Sequence, residues 1–147
     1  MKERFILPII TVCILASCIS RTDSMTALIL DDVQTYMDEQ PDSALSVLRN
    51  IDRESLATKS LEAKFSLLLS QALDKNYIDL QSDSIIAPAA RYYENHGSAE
   101  EKMKTLYYRG RIAMNAQKYE DAISYFTKAA RYADKVCDKV AVGRVYA

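Results

Sequence analysis

The sequence predicts an all-α fold assembled from antiparallel helix pairs, and three observations carry that prediction. Ala, Leu, Lys, Glu, Gln and Arg, all good helix formers, dominate the chain beyond residue 22. Only three glycines and three prolines interrupt 147 residues, and no run of alternating Val, Ile and Thr reads as a strand. A helix start rich in acidic and hydroxyl residues also recurs. Asp42-Ser43-Ala44-Leu45, Asp83-Ser84-Ile85-Ile86 and Glu120-Asp121-Ala122-Ile123 follow one another at spacings near 40. Such residues satisfy the orphan N–H groups of a helix start.

The elements follow in order. A first helix over about 23–39 carries Met25, Leu28, Ile29, Val33, Tyr36 and Met37 at spacings of three and four. Pro41 ends it, because the residue before proline avoids the α region. The same proline opens a second helix over 41–50, where its missing N–H has no helical partner, and Ala44, Leu45, Val47 and Leu48 form the apolar face. A third helix over 55–75 aligns Leu61, Phe65, Leu68, Leu69, Ala72 and Leu73. A polar loop, Asp79 to Asp83, leads to a fourth helix over 83–96, in which Pro88 forces a kink or a later start. Gly97 fits a left-handed cap at its end. Ser98 and Glu101 have capping-box spacing and start a fifth helix over 99–115. A sixth spans 119–135 and a seventh begins near Asp138. Gly110-Arg111-Ile112 returns as Gly143-Arg144-Val145, and a small residue at that point lets two helices approach closely.

Leu106, Gly110, Tyr119, Ala122, Phe126 and Ala129 fall where the tetratricopeptide repeat places its signature residues. Leu106 replaces the family's tryptophan, Arg109 its leucine, Ala113 its tyrosine and Asp134 its late proline. Over 103–136 the chain therefore resembles that family, and earlier pairs follow it more loosely. Ser70 stands at the glycine position, and Ala44 and Leu48 keep the second-helix spacing. The resemblance implies a right-handed superhelical array over 23–147, with pairs at 23–50, 55–96 and 99–135 and a partial one at 138–147. Natural arrays finish on a polar capping helix. Val140, Val142 and Val145 are thus expected to lack cover, and the natural protein is expected to continue past Ala147. Tetratricopeptide arrays bind peptides on the face lined by the first helices of each pair. Carried over, that face holds Lys64, Gln71, Lys75, Lys104, Tyr107, Arg111 and Asn115, with Leu67 and Arg144 beside them. Its lysines and arginines would suit an acidic or C-terminal peptide.

The amino terminus supplies an address. Lys2 and Arg4 precede an apolar run, Phe5 to Ile14, and small residues lead into Leu15-Ala16-Ser17-Cys18. This order resembles the lipobox of bacterial lipoproteins, which implies cleavage after residue 17, lipidation of Cys18 and a short tether over 18–22. An ordinary cleaved signal is the competing reading, and the run is short for a membrane span. Pro41-Asp42-Ser43-Ala44-Leu45, Leu73-Asp74-Lys75-Asn76-Tyr77 and Tyr92-Tyr93 resemble tetratricopeptide lipoproteins of the Bacteroidetes. Surface-exported members carry an acidic cluster after the cysteine. Ile19 to Asp23 holds one acid and one base, so a periplasm-facing lipoprotein is expected.

The remaining chemistry is sparse. The net charge of −1 is mixed along the chain and favours no nucleic acid partner. His96, the one histidine, is read as a helix-end residue, and neither CxxC nor HExxH occurs, so no metal, cofactor or catalytic centre is predicted. Once Cys13 leaves with the signal and Cys18 is lipidated, Cys137 is the last thiol, read as a small packing residue. The expected function is a lipid-anchored scaffold that binds a protein or peptide. The alternatives are the amino-terminal sensor of a longer signalling or transcription-regulating protein, and a glycan-uptake lipoprotein.

Overall fold

The computed structural model describes residues 24–146, so the signal 1–17, the tether 18–22 and the lipidation site Cys18 lie outside the described residues. Those residues are helical, with no strand among them. The helices are α1 (24–36), α2 (Pro41–Arg49), α3 (Lys59–Lys75), α4 (Ala87–His96), α5 (Ala99–Asn115), α6 (Tyr119–Ala130) and α7 (Lys139–Tyr146).

Where the expected boundaries fail, a competing cap explains the shift. Asp52 accepts the Glu54 N–H and holds a 3-10 turn over Arg53–Ser55. The Thr58 hydroxyl then accepts the Leu61 N–H at 3.2 Å, so α3 starts at Lys59 instead of residue 55. Pro88 resolves in favour of a later start. It sits in the first turn of α4, and residues 83–86 form a separate turn closed by the Ala87 N–H to the Asp83 carbonyl at 2.8 Å. Gly97 is extended, with φ −80° and ψ 150°, and is not the left-handed cap expected. Its small size matters for another reason, since a Cβ there would stand 2.8 Å from the Tyr93 Cβ. The capping box at Ser98 and Glu101 forms as read, with bonds of 3.3 and 2.8 Å, and α5 keeps its expected bounds. α6 ends at Ala130, five residues early, because i to i+3 bonds from Tyr132 and Lys135 tighten the chain into a 3-10 turn at Ala133–Lys135.

Packing is sequential. α1, α2 and α3 share one core around Leu30, Val33, Leu48, Phe65 and Leu69. α3, α4 and α5 share a second around Leu67, Ile86, Tyr93, Tyr108 and Ile112. α5, α6 and α7 share a third around Met103, Ala129, Val136 and Ala141. α3 belongs to two cores, and each residue from Phe65 to Leu73 is buried. In α1 the buried line is Thr26, Leu30 and Val33, continued by Met37 just beyond it, whereas Met25 and Leu28 are exposed. The expected stripe thus included residues from an unpacked side. Val142 and Val145 pack against the third core, correcting the expectation that they lack cover, while Val140 is 59% exposed.

Two helix exits repeat. Tyr77 and Gln117, 40 residues apart, both have positive φ, at 57° and 60°. At each, the next N–H reaches back to close the helix end: Ile78 to the Leu73 carbonyl at 3.0 Å, Lys118 to the Ala113 carbonyl at 2.8 Å. These are Schellman motifs, so α3 and α5 release the chain in the same way. Where α5 meets α6, a Cβ on Gly110 would lie 2.5 Å from the Phe126 ring. The glycine therefore sets the approach of those two helices.

Candidate functional site

The site begins with α1, α3, α5 and α7, the first helices of successive pairs. Each expected groove cation on them meets an acid of a neighbouring element. Lys64 of α3 pairs with Asp31 of α1. Lys75 of α3 lies 2.8 Å from Asp38, just beyond α1. The Arg111 Nε of α5 donates to Asp74 of α3 at 2.9 Å. Lys104 of α5 holds Glu100 at 2.6 Å and Asp138, ahead of α7, at 3.3 Å. Arg144 of α7 returns to Asp38 at 3.1 Å, joining residues 106 apart in sequence. The pairs lace α1 to α3, α3 to α5 and α5 to the start of α7, then tie α7 back to the end of α1.

This changes the electrostatics expected of the groove. Among the described residues each of these cations is paired with an acid, so the positions carry balanced charge. Asp38 shows the balance. Burial pushes its carboxyl up, but Lys75 and Arg144 outweigh burial and hold it below the usual carboxylate range. Asp138 behaves alike: burial raises it, and the Ala141 N–H and Lys104 bring it below the ordinary value. Asp138 is also the cap of α7, bonding the Val140 and Ala141 N–H groups at 3.1 and 3.0 Å.

Lys64, Gln71 and Lys104 come together around a cavity of about 220 Å³, whose wall also includes Gln34, Glu100 and Tyr93. Gln71 is buried, at 5% exposure, where an open groove position was expected. Its neighbours Ser66 and Ser70 are buried too, and the Ser70 hydroxyl donates to the Ser66 carbonyl at 2.9 Å. Arg111 and Asn115 line a water-sized gap with Asp74. Tyr107 is half-buried, its ring 5.1 Å from Tyr108 and 5.8 Å from Phe126, and burial raises its hydroxyl pKa. Tyr107 thus serves packing as much as the groove. Lys75 sits apart, at the Asp38 tie.

The acids that complete this face were missed in the sequence reading. A signal was present, because Asp38 to Lys75 and Asp74 to Arg111 have the same separation of 37 residues. Arg109 was missed as well. It donates to Asp83 at 3.2 and 3.1 Å and to the Tyr125 hydroxyl at 2.6 Å. His96 lies exposed at the end of α4, stacked on Tyr92 at 4.7 Å, with Nδ1 3.0 Å from the Tyr92 carbonyl. Cys137 is exposed, correcting its reading as a packing residue. Among the described residues no group of three or more His, Cys, Asp or Glu is placed to hold a metal ion, and no helix is long and apolar enough to cross a membrane. No protein-family model, curated protein or solved structure matches the chain.

Proposed function

We propose that the chain is a lipid-anchored, tetratricopeptide-like scaffold that binds a protein or peptide at the bacterial cell envelope, facing the periplasm. In this reading the helix pairs wind as a right-handed superhelix and the first helices line the binding face. The observation that carries it is the repeated exit of α3 and α5 at Tyr77 and Gln117, 40 residues apart. One turn geometry used twice, between helices sharing successive cores, supports a stacked repeat. The signal-like start and Cys18 support the anchor.

The partner surface centres on the cavity beside Gln34, Lys64, Gln71 and Lys104. Paired charges and amides there favour a peptide backbone with mixed side chains over a purely acidic segment, because an acidic segment must displace Asp31, Glu100 or Asp138.

Photo-crosslinking in living cells tests the reading, with the probe at exposed Gln34 or, as control, at exposed Ser124 on α6. A discrete adduct from Gln34 and none from Ser124, lost from the membrane fraction with Cys18→Ala, is the expected result. Adducts from neither position, or equal adducts from both, would retire the scaffold assignment.

A further inference from the structure

A second cavity, of about 520 Å³, opens on another side of α5, between α4 and α6. Its residues Lys102, Thr105 and Arg109 each stand two positions from Lys104, Tyr107 and Arg111, and two residues turn an α-helix by roughly 200°. The cavity therefore faces away from the first-helix groove. A volume within about 300–1,000 Å³ is that of a small-molecule site.

Its charge is unbalanced, unlike the groove's. Lys102, Arg109, Lys128, Arg131 and Lys135 line it, against Glu94 alone. Arg109 is committed to Asp83. Among the described residues the other four cations make no ion pair. Five cations against Glu94 and Asp83 leave three positive charges around one cavity. Tyr125 lies against two of the five cations. The Arg109 guanidinium lies 4.3 Å from its ring centre and the Lys128 ammonium 5.8 Å.

We propose that this cavity binds a phosphate-bearing small molecule or headgroup. Lys128, Arg131 and Lys135 neutralise the phosphate, and Tyr132 with Leu106 covers its less polar part. Phosphate fits better than a single carboxylate for two reasons. Its charge of about −2 offsets more of the three-charge excess than the single charge of a carboxylate does. Its oxygens accept from arginine and from point-charge lysines at once.

The test is calorimetric titration of the full chain with inorganic pyrophosphate, with citrate as a carboxylate of comparable charge. Co-sedimentation with phosphatidylglycerol vesicles, against phosphatidylcholine vesicles, separates a headgroup from a free phosphate. Saturable binding of pyrophosphate or of the anionic vesicles is expected, weakened about tenfold or more by Arg131→Glu and by Lys135→Glu. Lys59→Glu, remote from the cavity, should leave it unchanged. Arg131 and Lys135 are exposed, so both variants should keep the parent's melting temperature, separating lost binding from lost folding. Binding to neither probe, binding indifferent to Arg131→Glu and Lys135→Glu, or citrate matching pyrophosphate would overturn the proposal.

Discussion

Gly110 and Gly143 occupy the same place in a repeated Gly-Arg-aliphatic triplet, yet their surroundings differ completely. A methyl on Gly110 would meet the Phe126 ring at 2.5 Å, and nothing lies within 4 Å of one on Gly143. Alanine is favoured over glycine inside a helix by about 1 kcal/mol, and overpacking costs about 1–3 kcal/mol. The two alanine variants should therefore differ in sign. Gly143→Ala gains up to about 1 kcal/mol, whereas the clash outweighs propensity at Gly110 and leaves a net loss of about 1 kcal/mol or more. Urea denaturation midpoints check both. A gain at 110 would mean that α5 and α6 do not approach as closely as the ring contact requires, and a loss at 143 would mean that α7 is not open at that position. The comparison also locates the limit of motif reading: the triplet marks a helix position, but only the facing side chain decides what the glycine is for.

At the scale of elements, the most legible features were those whose partners lie a few residues away. The Ser98 and Glu101 capping box, the bounds of α5 and the Pro41 start of α2 all rest on contacts within one turn, and all stand in the structure. The start of α3 and the end of α6 were misplaced because Asp52, Thr58 and the i to i+3 bonds after Ala130 offered competing local solutions of similar strength. Tyr77 and Gln117 could not be anticipated from composition, since glycine or asparagine is usual at a left-handed exit. That mismatch yields a prediction. A non-glycine residue in the left-handed region is strained by about 1–2 kcal/mol, so Gln117→Gly should stabilise the chain by about 0.5–1 kcal/mol after glycine's extra unfolded-state entropy is deducted. Gln117 is exposed, so little packing is lost. A lower melting temperature for Gln117→Gly would show that the side chain contributes more than the exit geometry.

Over the whole molecule, the charged positions were legible in the sequence but their ion pairs were not. Lys64, Lys75, Lys104, Arg111 and Arg144 were read as bare cations, yet each meets an acid, and apart from Glu100 those acids lie on other elements. No spacing rule within a single helix reveals such partners. Asp38 is the junction with the longest reach, holding Lys75 and Arg144 together, and its carboxyl stays below its ordinary value. A group whose folded pKa is depressed contributes stability that is complete above its unfolded pKa and disappears as pH falls through the folded one. For an aspartate that loss starts near pH 4, since the unfolded value is about 3.9. Asp38 is 47% exposed, so solvent screening holds each of its pairs to about 0.2–1 kcal/mol. Asp38→Asn should accordingly be less stable than the parent at pH 7 by roughly the strength of one or two such pairs. The difference should begin to shrink as the pH falls below about 4, where the unfolded chain takes up its proton, and close once the folded carboxyl is protonated too. Denaturation of both chains at pH 7 and pH 3 makes the comparison, with the parent's other acids cancelling in the difference. If the gap is undiminished at pH 3, Asp38 acts through its shape or through hydrogen bonds that survive protonation. The tie between α1 and α7 would then not depend on charge.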